Sequence, residues 1–151
     1  MDIEDIEKSI EKEAGSVIQE TTEYNSSRFY IRVDKDSVRD IARVVSNDLG
    51  GRLATITGHD KEDGFHILYH YVFDSEGFIC TFRVVLDEEN PAVDSIHDII
   101  PGASAIEREI RDFLGVELKG EKTPAEFLKF EGLPDDYYPL RQDAREPFEN
   151  E

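Results

Sequence analysis

Charged residues cluster in one stretch of the chain that could do acid–base chemistry. The stretch IPGASAIEREIRDFLG, residues 100–115, contains five charged residues within positions 107–112. Paired carboxylates act as general acid and base when their environments separate their pKa values. Here Arg108 and Arg111 lie among the acids, and a nearby guanidinium lowers a carboxylate pKa, which opposes general-acid duty. The pattern therefore disfavours catalysis by this cluster.

The same stretch has helical periodicity. Glu107 and Arg111 are four residues apart, as are Arg108 and Asp112, so each acid has a base within one turn. The apolar positions form one stripe, which consists of Ile106, Ile110, Phe113 and Leu114. The pattern predicts an amphipathic helix that is ended by Gly115. Periodicity alone favours a solvent-exposed helix whose charges pair with one another, and burial against another protein is the alternative.

Histidine and cysteine residues give no pattern of a metal or redox site. His66 and His70 share one face of a predicted strand and His59 precedes a turn, but no third ligand has a recognisable spacing. We interpret them as ordinary, half-exposed sheet residues. Cys80, the single cysteine, excludes an internal disulfide and an iron–sulfur cluster, and its strand context predicts a buried, inert thiol. No cofactor or metal is expected in this chain.

The net charge limits the classes of partner. Thirty-five acidic and seventeen basic residues give a formal charge of −18, which repels nucleic acid and anionic lipid. The amino-terminal stretch is acidic, and no run of about 18 apolar residues occurs. We expect a cytoplasmic protein that does not insert into the membrane.

The elements around the cluster alternate between helical and strand periodicity. Residues 2–14 predict a helix, residues 28–34 a strand with one wet face, and residues 38–49 a helix capped by Asp36 or Ser37. Three strand-like runs between residues 52 and 87 then predict an antiparallel meander. The predicted fold is α+β, with helices packed on one face of a mostly antiparallel sheet of about four strands.

The last part of the chain is punctuated by proline and has little core of its own. We expect an α+β domain over residues 1–120 and an extended segment over residues 121–151. Segments of this kind are disordered or held by a partner protein.

Two stretches together resemble a known family. SIHDIIPGASAIEREIRDFLGVELKG, residues 95–120, and YPLRQD, residues 138–143, resemble the C-subunit family of NADH-quinone oxidoreductase, respiratory complex I, and related subunits of energy-converting membrane-bound hydrogenases and ferredoxin-linked complexes. The residues that match the pattern, and that the resemblance assigns to partner binding, are Glu107, Arg108, Glu109, Asp112, Gly115, Pro139, Leu140, Arg141 and Asp143.

The resemblance implies a non-catalytic subunit of the cytoplasmic peripheral arm of an ion-pumping redox complex. Such a subunit docks the iron–sulfur small subunit and the large catalytic subunit, and its extended segment wraps a partner. The iron–sulfur clusters, and a nickel–iron centre in the hydrogenase-like branch, would belong to those partners.

Departures from the family pattern favour the hydrogenase-like branch. The sequence GEKTP, residues 120–124, stands where complex I subunits have Gly-His-Pro, Ile106 replaces an aromatic residue, and Gln142 replaces a lysine. One alternative is the C subunit of a true quinone-reducing complex I. An alternative of another class is a free-standing acidic interaction or regulatory domain, which the charge of −18 suggests.

Overall fold

The computed structural model describes residues 1–122, 128 and 132–144. The helices are α1 (Ile3–Ala14), α2 (Val38–Arg43) and α3 (Ala103–Leu114). The strands are β1 (Ile18–Asn25), β2 (Arg28–Val33), β3 (Arg52–Lys61), β4 (Gly64–Phe73), β5 (Phe78–Leu86), β6 (Ala92–Asp94) and β7 (Glu117–Lys119). None of the helices in this described part of the chain is both long and apolar enough to cross a membrane.

The main sheet has five strands in the order β1-β2-β5-β4-β3. Its pairings are antiparallel except for β2 with β5, which run parallel. A second, two-stranded sheet pairs β6 with β7 in parallel. The predicted α+β class, with helices on one face of a mostly antiparallel sheet, is confirmed. The sheet has one strand more than expected, because the sequence of β1 is exposed almost throughout and carries no buried alternation.

Helix α1 forms as its sequence predicts. The Asp2 carboxylate accepts from the Asp5 N–H at 3.0 Å, and the Asp5 carboxylate accepts from the Asp2 N–H at 3.0 Å, which is a reciprocal capping box. Gly15 ends the helix at a positive φ of 80°. The stripe of Ile6 and Ile10 is fully buried, so packing adds to the capping.

The predicted cap of the second helix is wrong. The Ser37 hydroxyl donates to the Asp34 carbonyl oxygen at 2.6 Å and makes no capping bond to α2. A short 3-10 turn, Lys35–Ser37, precedes α2 instead, and a π turn, Val44–Asp48, continues it. The Ser37 hydroxyl does not cap α2 because it bonds to a carbonyl oxygen three residues earlier, within the preceding turn.

The two faces of the main sheet differ in what covers them. The face that we call the helix face is buried, and its central strands contribute Phe29, Ile31, Val33, Tyr69, Tyr71, Phe73, Cys80, Phe82 and Val84. A Cβ on Gly58 of β3 would meet Leu114 and Ile110 of α3 on this side. The opposite face, which we call the open face, carries Arg28, Tyr30, Arg32, Leu68, His70, Val72, Ile79, Thr81 and Arg83.

The close approach of α3 to β3 gives a test of the packing. A Cβ at Gly58 would lie 2.5 Å from Cδ1 of Leu114, whose side chain is fully buried. We expect Gly58→Ala to lower the free energy of unfolding by about 1–3 kcal/mol through overpacking. Leu114→Ala should cost about 2–5 kcal/mol through a cavity. Urea unfolding of the double variant should show a loss smaller than the sum, because the added methyl group fills part of that cavity.

The matched control is Gly102→Ala, since a Cβ there meets nothing within 4 Å. We expect it to change the free energy of unfolding by less than about 1 kcal/mol. Additive effects of Gly58→Ala and Leu114→Ala would contradict the contact.

Candidate functional site

Helix α3 carries the charged motif, and the segments just before and just after it in the sequence pair with each other. Strand β6 leads into the loop before α3 and strand β7 follows Gly115, and their parallel pairing joins the two ends of the motif. Gly115 adopts a φ of 76°, and its N–H donates to the Arg111 carbonyl oxygen at 2.9 Å. The motif is therefore one compact unit made of β6, its following loop, α3 and β7.

Glu107 is buried inside this unit, with 3% of its surface exposed. Its Oε1 accepts from the Ile96 N–H at 3.0 Å, and its Oε2 has no hydrogen-bond partner among the described residues. Burial raises the pKa of Glu107, and the Ser95 hydroxyl, the Ile96 N–H and His97 oppose that rise. The prediction of a solvent-exposed, self-paired helix face is wrong at this residue, because Glu107 holds the loop that precedes the helix.

Asp112 is the second buried acid of the helix, with 4% of its surface exposed. Its Oδ2 accepts from the Leu128 N–H at 2.7 Å, and its Oδ1 lies 3.5 Å from Nε of Arg111. The prediction of an exposed helix face is therefore also wrong for Asp112. Arg108 is half-buried, whereas Glu109 points to solvent.

The segment at residues 138–144 folds back onto the carboxyl end of α3. Arg141 Nε donates to the Leu114 carbonyl oxygen at 2.7 Å, and the guanidinium carbon lies 4.4 Å from the centre of the Tyr138 ring. The Leu140 N–H donates to the Phe113 carbonyl oxygen at 3.0 Å. These bonds satisfy helix carbonyl groups that have no partner within the helix.

Gly115 is required at this junction for a second reason. A Cβ there would lie 2.6 Å from Nη2 of Arg141 and 2.8 Å from the Tyr138 ring. The structure thus brings together Gly115 and Arg141, two of the residues predicted for partner binding.

Pro139 and Asp143 are exposed, as is Leu140 at 52%. Their role in binding a partner stays a prediction, and residues 123–127, 129–131 and 145–151 of the predicted extended segment lie outside the described residues.

A cavity of about 650 Å³ lies beside the motif, at the β6–β7 junction. Arg39 from α2 makes two bonds of 2.7 Å to the Asp98 carboxylate and one of 2.7 Å to the Ser95 carbonyl oxygen. This hydrogen-bonded guanidinium lowers the pKa of Asp98 to about 2. Sequence periodicity carries no signal for this pair, because 59 residues separate its members.

His97 and Glu121 face each other at the same junction. Nδ1 of His97 lies 2.6 Å from the Ser95 hydroxyl and 3.9 Å from Oε2 of Glu121, whose side chain is 6% exposed. Glu121 lies in GEKTP, residues 120–124, the stretch that departs from the family pattern. The departure from that pattern was visible in the sequence, but its contact with His97 was not.

The remaining histidines and the cysteine have structural settings. His66 is 5% exposed, so the prediction of a half-exposed residue is wrong, and its Nε2 lies 2.6 Å from Oδ1 of Asp63. His70 is half-buried as predicted. Cys80 is buried, and burial raises the pKa of its thiol. Within residues 1–122, 128 and 132–144, no group of three or more potential ligands could hold a metal ion.

Sequence comparison places the motif in a family. The family described as "Respiratory-chain NADH dehydrogenase, 30 Kd subunit" matches residues 31–148, which include β3, β4, β5, α3 and the segment that contains Arg141. The chain belongs to this family. The resemblance seen in the charged helix and the Pro-Leu-Arg stretch is thereby confirmed.

Relatives of this 30 kDa subunit family come from two kinds of enzyme. The C subunit of NADH-quinone oxidoreductase from Roseiflexus sp. (strain RS-1) is 32% identical over 124 residues, 76% of this chain and 67% of that protein. Formate hydrogenlyase subunit 5 of Escherichia coli (strain K12) is 32% identical over 99 residues, 63% of this chain and 17% of that protein. The chain thus spans two thirds of the first relative and a small part of the second.

Solved structures show the same fold. A chain of the membrane-bound sulfane sulfur reductase, an archaeal respiratory membrane complex, aligns with a TM-score of 0.78 and 26% identity over 94% of this chain and 85% of that one. The trypsin-resistant fragment of Nqo5 aligns with a TM-score of 0.64 and 19% identity over 82% of this chain and 99% of that one, which shows the fold alone.

The burial of Glu107 predicts a specific pH dependence. Because burial raises its pKa above the ordinary value of 4.5, the folded chain binds its proton more tightly than the unfolded chain. The stability contributed by the protonated form is present at low pH and is lost as the pH rises from about 4.5 through the folded pKa. In Glu107→Gln, the fall in the free energy of unfolding between pH 5 and pH 7 should be smaller than in the wild type.

Denaturant unfolding at both pH values measures this difference, and Glu109→Gln at the exposed neighbour serves as the control that should behave like the wild type. Glu107→Ala should cost about 1–3 kcal/mol at either pH, because the buried Ile96 N–H loses its acceptor. The same pH dependence in the wild type and in Glu107→Gln would contradict the assignment.

Alanine substitutions at two glycines with positive φ distinguish the cost of backbone strain from the loss of a side-chain contact. Gly115→Ala should cost about 1–2 kcal/mol from the left-handed backbone and should also displace Arg141 and Tyr138. Gly120→Ala has a similar φ of 88° but meets nothing within 4 Å, so it carries only the backbone cost. Limited proteolysis should therefore cut residues 132–144 faster in Gly115→Ala than in Gly120→Ala, and equal rates would disprove the docking of that segment on α3.

Proposed function

We propose that this chain is a non-catalytic structural and assembly subunit in the peripheral arm of a membrane-bound, ion-pumping redox complex. Family membership over residues 31–148 supports the assignment to a respiratory type of complex. The observation that supports a structural role is that Glu107 and Asp112 accept main-chain N–H groups of the chain's own loops. Both carboxylates therefore hold segments of the chain's own backbone in place.

The surface that we assign to docking combines the exposed side of α3 with the Pro-Leu-Arg stretch. The Leu140 N–H bonds to the Phe113 carbonyl oxygen, and Phe113 lies one helical turn after the exposed Glu109. Leu140 is one of the few large apolar side chains among the described residues that are exposed. We propose that Glu109, Arg108 and Leu140 contact the large catalytic subunit, with the iron–sulfur small subunit beside it.

Cofactors belong to the partners in this proposal. The iron–sulfur clusters would lie in the small subunit and a nickel–iron centre in the large subunit, on the cytoplasmic side of the membrane. The hydrogenase-like or sulfur-reductase-like branch is favoured by the alignment with the archaeal sulfane sulfur reductase chain over 94% of this chain. The second candidate is the C subunit of a quinone-reducing complex I, which the identity of 32% with the Roseiflexus protein favours.

Charge and shape variants on the proposed docking surface test it. The full-length chain, tagged and expressed in its host, should bring down its partner subunits from detergent-solubilised membranes. We expect Glu109→Lys combined with Leu140→Asp to reduce recovery of the large subunit roughly tenfold, which corresponds to about 1.4 kcal/mol. Glu4→Lys combined with Tyr24→Asp is the matched control away from α3, where Glu4 is 74% exposed and Tyr24 72%.

Equal recovery of the large subunit by the docking and control variants would rule out this surface. The metal content of the recovered wild-type complex separates the branches. Iron with nickel supports the hydrogenase-like assignment, whereas an NADH-oxidising module supports the complex I alternative. A chain that is recovered alone would support the free-standing regulatory domain.

A further inference from the structure

The open face of the main sheet is a second candidate surface, on the side of the sheet away from α3. The alternation of β2, β4 and β5 turns Tyr30, Leu68, Ile79 and Val85 toward this face, and all four are half-buried. The three helices make their contacts on the opposite side, where Gly58, Thr21 and Gly51 meet α3, α1 and the turn after α2. Apolar side chains therefore reach a surface that no described helix covers.

Three arginines lie on this face, and only one of them has a salt bridge among the described residues. Arg32 of β2 and Arg83 of β5 are directly opposite each other in the parallel register, and like charges in that position repel. Glu20 is opposite Arg32 in the register of β1 with β2, and its Oε2 lies 3.8 Å from Nη2 of Arg83. The charge of Arg32 also acts on Asp63, without a salt bridge between them. No other carboxylate of the described residues lies within salt-bridge distance of Arg28, Arg32 or Arg83. Nε of Arg83 is buried and has no hydrogen-bond partner there.

Several arginines elsewhere in the described residues pair with carboxylates at shorter distances. Arg39 pairs with Asp98 at 2.7 Å, Arg43 with Asp40 at 3.1 Å and Arg52 with Asp74 at 3.2 Å. A chain with thirty-five acids has carboxylates available for such pairing. The open face thus carries three arginines with one salt bridge among the described residues, on a protein whose net charge is −18.

A pocket of about 300 Å³ lies at the centre of this face. It is lined by Arg28, Tyr30, Ala54, His70 and Ile79, among others. The His70 ring is fixed between two threonine hydroxyl groups, each 2.9 Å from a ring nitrogen. Desolvation, followed by the charge of His59, lowers the pKa of His70, which disfavours a charged ring. The pocket is therefore mostly apolar, and Arg28 is among the residues that line it.

We propose that the open face docks an acidic polypeptide surface of a partner subunit, whose carboxylates pair with Arg28, Arg32 and Arg83 while one apolar or aromatic side chain enters the pocket beside Tyr30 and His70. Charge complementarity selects this occupant, since an acidic chain is the partner that three adjacent arginines attract. The half-buried apolar residues between them suit a protein surface, which mixes apolar and charged groups. A long polyanion such as nucleic acid would meet the repulsion of the remaining chain.

Photo-crosslinking in the intact complex tests the proposal. A photo-crosslinking amino acid replaces Tyr30 in the tagged full-length chain, and a second sample carries it at Leu140 to report whether the complex has assembled. We expect the Tyr30 position to crosslink to a polypeptide, and sequencing of the attached peptide by mass spectrometry should show an excess of Asp and Glu. Arg28→Gln, Arg32→Gln and Arg83→Gln together should reduce that crosslink at least about tenfold.

The matched control removes the same number of charges elsewhere, with Lys8→Gln, Lys12→Gln and Arg43→Gln, and should leave the crosslink unchanged. Crosslinking at Leu140 with none at Tyr30, crosslinking of Tyr30 to lipid or nucleic acid, or equal loss in both triple variants would each overturn the proposal. Because Leu140 reports on the α3 surface separately, failure here is distinguishable from failure of the proposed docking function.

Discussion

Two buried carboxylates on one helix organise this molecule. A carboxylate that leaves water must recover its lost hydration through hydrogen bonds, and Glu107 and Asp112 do so with main-chain N–H groups from opposite sides of the sequence. One bond holds the loop that arrives from β6, and the other holds the chain at Leu128. A third bond to this helix comes from Arg141, whose Nε donates to the Leu114 carbonyl oxygen. The two acids of the charged motif thus join segments on either side of α3 in the sequence by hydrogen bonds.

Periodicity predicted the parts of the fold that depend on local alternation. Helix α1, strand β2 and the meander of β3, β4 and β5 were all visible, because their buried residues recur at helical or strand spacing. Strand β1 was missed because it is an exposed edge strand without such a pattern. The parallel pairing of β2 with β5 was also missed. A strand with one solvent-exposed face has the same alternating sequence pattern whether its neighbour runs parallel or antiparallel.

The hydrogen bonds of the charged motif could not be predicted from periodicity, for a different reason. A spacing of four residues between acid and base indicates surface ion pairs, but it does not show whether a main-chain N–H of another segment needs the acid as its acceptor. The donor to Glu107 is the Ile96 N–H, eleven residues upstream, and no local rule connects the two. The family pattern drew attention to the same helix, but it did not reveal that Glu107 and Asp112 are buried.

The altered loop after β7 shows how the unit retains its architecture while its sequence departs from the pattern. Glu121 lies in that loop, and its nearly buried carboxylate lies 3.9 Å from His97 on the loop before α3. An acid and an imidazole thus face each other across the junction of β6 and β7. Ser95 bonds to the same imidazole, and Arg39 holds the Ser95 carbonyl oxygen and the Asp98 carboxylate. The junction is therefore held from α2 as well as from the loop after β7, so two separate elements fix the loop that leads into α3.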